Sequence, residues 1–246
     1  MPVKKLVSLF VLSACTLWIG GKLLADDKAA KDDKAVKKEE KKEDKKAENA
    51  SPLEEMDADT AKEYGGVINA LFTKQLKDAK DVQVKFDVDV DKAVGLVNMS
   101  TREGIIAIPV KNFKEDRENK AVETDNGLGF CYVFMSQTYN PLVDGKPVDV
   151  KKLRTVKFSD GEGNERSATC LLCSVKHVEG DDWQLFVYGT GKEPLIKSPF
   201  GEAGDAPKAD LGLAIQDPTP EKGQLVFNLF GKYSASITVG LKHKDK

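Results

Sequence analysis

Residues 82–91 read Val-Gln-Val-Lys-Phe-Asp-Val-Asp-Val-Asp, with Val82, Val84, Phe86, Val88 and Val90 on one side of an extended chain and mostly charge on the other. A period of two suits a strand with one buried face and is incompatible with an amphipathic helix. Strand-like runs follow at Val94 to Val97, Gly104 to Val110, Leu128 to Gln137, Leu153 to Phe158, Ala168 to His177, Trp183 to Tyr188, Leu211 to Ile215, Gln224 to Phe230 and Tyr233 to Leu241. Turn signals separate several of them: Asp160-Gly-Glu-Gly-Asn164, Glu179-Gly-Asp-Asp182 and Asp217-Pro-Thr-Pro220. This punctuation predicts a mainly β fold, an antiparallel β-sandwich or barrel-like domain. There is no alternation of strands with helices, which argues against a doubly wound sheet.

One helix is expected before the strands. Thr60 and Glu63 have capping-box spacing, and Tyr64, Ile68, Leu71, Phe72 and Leu76 fall close to one face, which predicts a helix over residues 60–79. Gly65-Gly66 works against it, since each glycine costs about 1 kcal/mol in a helix interior. The β-rich domain is thus expected to span residues 53–246.

Upstream the composition differs. Lys4 and Lys5 precede an apolar run from Leu6 to Gly21, and Ala25 stands before acid, the layout of a secretory signal peptide over residues 1–25. About 16 residues of helix reach roughly 24 Å, short for a hydrocarbon core of about 30 Å. Cleavage after Ala25 is the leading expectation. Two alternatives stay open: a lipid on Cys15, following Leu12-Ser-Ala, or an uncleaved anchor held by Lys4 and Lys5. All three place the rest of the chain outside the cytoplasm, periplasmic or extracellular. Any membrane attachment then runs through the N-terminus.

Residues 26–52 are built largely from Lys, Asp, Glu and Ala. In Lys37 to Lys46 like charges recur four residues apart, as in Lys37 with Lys41 and Glu39 with Glu43. Such pairs destabilise a helix, so a solvated, disordered charged linker is expected. The whole chain has 38 basic and 40 acidic residues, a net charge of -2. Of these, 12 basic and 9 acidic residues precede Leu53, which leaves the expected folded part at -5. A mildly acidic domain gives no electrostatic case for nucleic acid.

Candidate sites are few. Cys131, Cys170 and Cys173 remain after removal of a leader. Cys170-Leu-Leu-Cys173 lies in a strand-like run, where positions i and i+3 point to opposite faces, so these two thiols cannot readily meet. Three readings stand: structural core cysteines, a disulfide from Cys131 to one of the pair, or zinc held by Cys131, Cys170, Cys173 and His177. Asp87, Asp89 and Asp91 have the opening spacing of a calcium loop, but Lys92 stands where glycine is needed and Asn98 where the closing glutamate belongs. A calcium ion on a carboxylate row is the alternative to a solubilising outer face. His177 is the candidate base for nucleophilic catalysis, yet no Gly-x-Ser-x-Gly elbow accompanies it. Gly189-Thr-Gly-Lys192 lacks phosphate-loop spacing and reads as a hairpin turn. Asn98-Met-Ser100 matches a glycosylation sequon. Phe130, Tyr132 and Phe134 share one strand face and read as core rather than as a ligand platform. No catalytic residue and no cofactor is predicted.

Asp91-Lys-Ala-Val-Gly-Leu96 leading to Gly104-Ile-Ile-Ala-Ile-Pro109, Pro141-Leu-Val-Asp-Gly-Lys-Pro147 leading to Lys152-Leu-Arg154, and Phe230-Gly-Lys-Tyr-Ser-Ala235 together carry a resemblance. They resemble secreted proteins of unassigned function from planctomycete-type bacteria. The resemblance implies a bacterial exported protein and supplies no catalytic residue. The expectation is an exported, non-catalytic envelope module on a charged linker, with a structural role or a protein, peptide or glycan partner. The alternative is a secreted hydrolase using carboxylates or a bound metal. An apolar groove or an exposed sheet edge would favour the binding module, and a concave cluster of acids or thiols the enzyme.

Overall fold

The apolar runs fold into two antiparallel sheets with one helix laid on the outer side of the larger. The computed structural model describes residues 53–79, 82, 85–115, 123–159, 163–179, 182–204 and 208–241. The expected leader with Cys15 and the expected charged linker lie outside the described residues. Among the described residues, no helix is long and apolar enough to cross a membrane.

In chain order the elements are β1 (Glu54–Glu55), α1 (Ala58–Asp78), β2 (Val94–Val97), β3 (Gly104–Pro109), β4 (Leu128–Ser136), β5 (Tyr139–Val143), β6 (Lys146–Pro147), β7 (Arg154–Ser159), β8 (Glu165–His177), β9 (Trp183–Tyr188), β10 (Ile196–Pro199), β11 (Gly201–Glu202), β12 (Leu211–Gln216), β13 (Lys222–Leu229) and β14 (Tyr233–Leu241). The larger sheet runs β1-β2-β3-β4-β8-β9-β10, with β7 also on β8. The smaller runs β12-β13-β14-β5-β6, with β11 on β14. Neither sheet closes into a barrel, so the architecture is a sandwich.

Alternation along the central strands sorts their side chains into two layers. Cys131, Val133 and Met135 of β4, with Leu171 and Cys173 of β8, point between the sheets and meet Leu225, Phe227, Ile237 and Val239. Tyr132 and Phe134, with Cys170 and Leu172, point the other way and are covered by α1. Burial on both faces explains why β4 and β8 read as nearly continuous apolar runs. Strand β8 is long enough to carry β7 along residues 165–170 and β9 along residues 172–177 of one edge. Where those two strands meet, Thr190 N donates to Lys152 O at 2.9 Å, and a Cβ at Gly189 would overlap that same carbonyl. Glycine is required there because two backbones touch.

The helix begins two residues earlier than its capping-box spacing predicts. Asp57 is the cap, accepting the Thr60 amide at 2.9 Å, and hydrogen bonding from the Thr60 side chain, then from its amide, lowers the pKa of its carboxyl. Ala61, Ile68, Phe72 and Leu76 form the buried stripe, whereas Tyr64 and Leu71 are 54% and 37% exposed. Gly65, which propensity counts against the helix, sits on the buried stripe: a Cβ there would lie 3.3 Å from Ala93 Cβ and Ile108 Cδ1. The missing side chain lets the helix approach the sheet.

The clearest alternating segment does not become a regular strand. Of its described residues, Val88 makes an isolated bridge to Val110, and Val90–Lys92 form a 3-10 turn. The periodicity still sorts the side chains, since Val82, Phe86, Val88 and Val90 pack into the layer under α1. Short strands β5, β6 and β10, each containing a proline, add ladders where no run was expected.

Candidate functional site

Among the described residues, one end of the sandwich stays open. There β4 and β8 contribute Leu128 and Val175, Trp183 opens β9, and Phe200 follows β10. The smaller sheet brings Leu229, Phe230 and Tyr233 from the β13–β14 turn, and the β3–β4 connection adds Phe113, Lys114 and Glu115. Together they line a cleft open to solvent, with a cavity volume of about 70 Å³. All five aromatic residues in it are half-buried.

Backbone bonds position these rings. Phe200 N donates to Trp183 O at 2.9 Å, which sets the two residues side by side, and Phe113 N donates to Val110 O at 3.2 Å. Phe113 stacks on Phe230 with centroids 5.0 Å apart and tilts against Phe130 at 5.9 Å. Phe230 and Gly231 form the turn into β14, closed by Lys232 N donating to Leu229 O at 3.0 Å. Both central residues have positive φ, 56° and 63°. That is natural for Gly231 but costs Phe230 roughly 1–2 kcal/mol, because a Cβ crowds the carbonyl in this conformation. Such strain persists where the surroundings over-determine it, and here it is the ring stack that holds Phe230 at the mouth of the cleft.

Glu115 supplies the polar rim. The Tyr233 hydroxyl donates to Glu115 Oε1 at 2.7 Å and the Lys232 ammonium to Oε2 at 2.7 Å. These bonds tie the β3–β4 connection to the β13–β14 turn across the open end.

The residues singled out from sequence fall elsewhere. Cys131 and Cys173 are opposed on β4 and β8 and face between the sheets, while Cys170 faces α1 and its thiol donates to Leu171 O at 3.7 Å. All three are buried thiols, and burial pushes the pKa of Cys131 and Cys170 up. His177 lies at the far end of β8, opposite Trp183, with ring centroids 5.1 Å apart. The four residues proposed for zinc therefore do not converge. The three aspartates do not line one strand face either: the Asp87 carbonyl accepts the Lys111 amide, Asp89 caps the 3-10 turn, and Asp91 pairs with Lys62 at 2.5 Å. Among the described residues, no group of three His, Cys, Asp or Glu side chains is placed to hold a metal ion. Asn98 of the sequon is nearly buried, its Oδ1 accepting the Ser100 and Thr101 amides.

The predicted aromatic stripe on β4 is corrected as well. A bulge between Gly129 and Cys131 turns Phe130 to the inter-sheet side, edge-on to Phe227, while Tyr132 and Phe134 face Phe72. None of the five cleft aromatics was singled out as a site residue, although Phe230 and Tyr233 lie in a segment that carries the resemblance. The signal that could have found them is position: Phe113, Phe200 and Phe230 lie in connections, and Trp183 and Tyr233 at strand starts, where core aromatics are less expected. Comparison with known families, curated proteins and solved structures finds no match to this chain.

Proposed function

We propose that the chain is an exported, non-catalytic module of a bacterial envelope, carried on its charged linker, and that the aromatic cleft binds its protein, peptide or glycan partner. The observation that carries this reading is the cleft itself: five half-buried rings with solvent access, where a closed core would have covered them. Concave, largely apolar sites with a few placed polar groups are the usual form of ligand pockets. Ring faces of this kind take an apolar side chain or the CH-rich face of a sugar, and the Glu115 rim supplies orientation. A glycoside hydrolase would need two facing carboxylates. Among the described residues lining the cleft Glu115 is the one acid, and both its oxygens are engaged by Tyr233 and Lys232.

Photo-cross-linking in cells tests the reading. A photoreactive residue replacing the exposed Lys114 at the rim is expected to give an adduct of defined mass, and one replacing the exposed Val150, which does not line the cleft, is expected to give none. No adduct at position 114 across growth conditions, or equal labelling at both positions, would sink the proposal.

A further inference from the structure

Cys131 and Cys173 are register partners across the β4–β8 pair. Opposed residues on antiparallel strands project from the same face of the sheet, with Cα atoms about 4.5 or 5.5 Å apart according to the pair type. Both values lie inside the roughly 4.4–6.8 Å that a disulfide spans. The two side chains share the inter-sheet core and are fully buried. Cys170 is paired in register with Phe134 and lies on the opposite face, which separates it from both. The geometry therefore selects one bond among three conceivable ones.

We propose that Cys131 and Cys173 form an intramolecular disulfide, leaving Cys170 as a free thiol. The bond is made by exchange with a disulfide oxidant, either glutathione disulfide or an enzyme-borne dithiol in its oxidised form. One protein thiolate attacks the oxidant, forming a mixed disulfide and releasing one reduced thiol. The second protein thiolate then displaces the other. Two protein thiols become one S–S bond, and the oxidant takes up both electrons and both protons as two thiols. Because neither sulfur is exposed in the folded chain, exchange takes place before the sheets close over β4 and β8. The finished bond is then shielded from reductants, which makes it a structural cross-link. It clamps the point where the chain leaves the larger sheet after β4, builds β5 and β6 on the smaller one, and returns through β7 to β8.

The test does not depend on cellular location. The full chain is reduced, unfolded, refolded in a mixture of reduced and oxidised glutathione, and alkylated in denaturant after native circular dichroism has returned. The expected product carries one alkyl group on these three cysteines, at Cys170, and its digest links the peptide containing Cys131 to that containing Cys173. Cys170 and Cys173 share a tryptic peptide, so fragment ions assign the partner, and a Cys170→Ala chain should close the same bond. If that variant fails to refold, the fragment map of the unaltered chain decides. Refolded native protein with all three cysteines alkylated, or a link through Cys170, would overturn the proposal.

Discussion

The rings under α1 and the rings at the open end of the sandwich are the same residue types in opposite circumstances. Phe72, Tyr132 and Phe134 are 1%, 2% and 2% exposed, and Phe72 meets the other two edge-to-face at 5.1 and 5.5 Å. The Tyr132 hydroxyl donates to Phe86 O and accepts from Phe86 N, both at 3.3 Å. Every surface of that cluster is used by the fold. At the cleft, Phe113, Trp183, Phe200, Phe230 and Tyr233 are each only partly buried, and Phe230 is held in a backbone conformation that favours glycine. Aromatic content alone thus says nothing about function; what the rest of the chain leaves uncovered does.

Substitutions can break this contrast, and the largest effect belongs to the closed cluster. Phe72→Ala removes a fully buried ring, so the unfolding free energy should fall by about 3–5 kcal/mol in denaturant titration, with the adduct at position 114 retained by whatever protein stays folded. Gly65→Val tests the same layer from the other direction. Its side chain must push against Ala93 and Ile108, and overpacking of this kind costs about 1–3 kcal/mol, read as a lower urea midpoint.

A milder perturbation is alkaline pH. Burial pushes the pKa of Tyr132, in the layer under α1, and of Tyr139, in the inter-sheet core, up to about 12 from an ordinary value of 10.0. Between those values the unfolded chain has lost the phenolic protons that the folded chain keeps. The stabilisation is therefore complete below pH 10 and lost as pH rises toward 12. Urea midpoints should fall across that window, with the phenolate absorbance of both residues appearing late in native protein.

Legibility followed chain distance. Trp183–Tyr188 and Tyr233–Leu241 have the ends expected from sequence, because a strand's own residues and its neighbours in sequence determine them. Strand β5 was hidden by Pro141, which lacks a ladder donor; it pairs with β14 nonetheless, and the Pro141 carbonyl accepts the Val148 amide at 3.0 Å. The Asp144-Gly145 turn beside it, with φ of 51° and 73°, was the available hairpin signal. Phe130 could not be placed because one bulged residue reverses the face. The described residues of 82–91 sort by face but make one isolated bridge among them, since alternation specifies exposure and leaves pairing to the partner strand. The cleft was least legible of all. Its rings come from chain positions spread between Phe113 and Tyr233, and only the closing of one sheet over the other brings them together.

The smallest expected stability effect goes with the largest functional one. Trp183→Ala removes a half-buried ring from the cleft wall and should lower the unfolding free energy by about 1–2 kcal/mol, less than the loss from Phe72→Ala. Combined with the photoreactive residue at position 114, it measures directly whether the uncovered rings serve a partner. Adduct yield should fall at least tenfold while the chain remains folded. An undiminished adduct, or a loss of stability as large as that of Phe72→Ala, would show that the cleft rings belong to the core and not to a binding site.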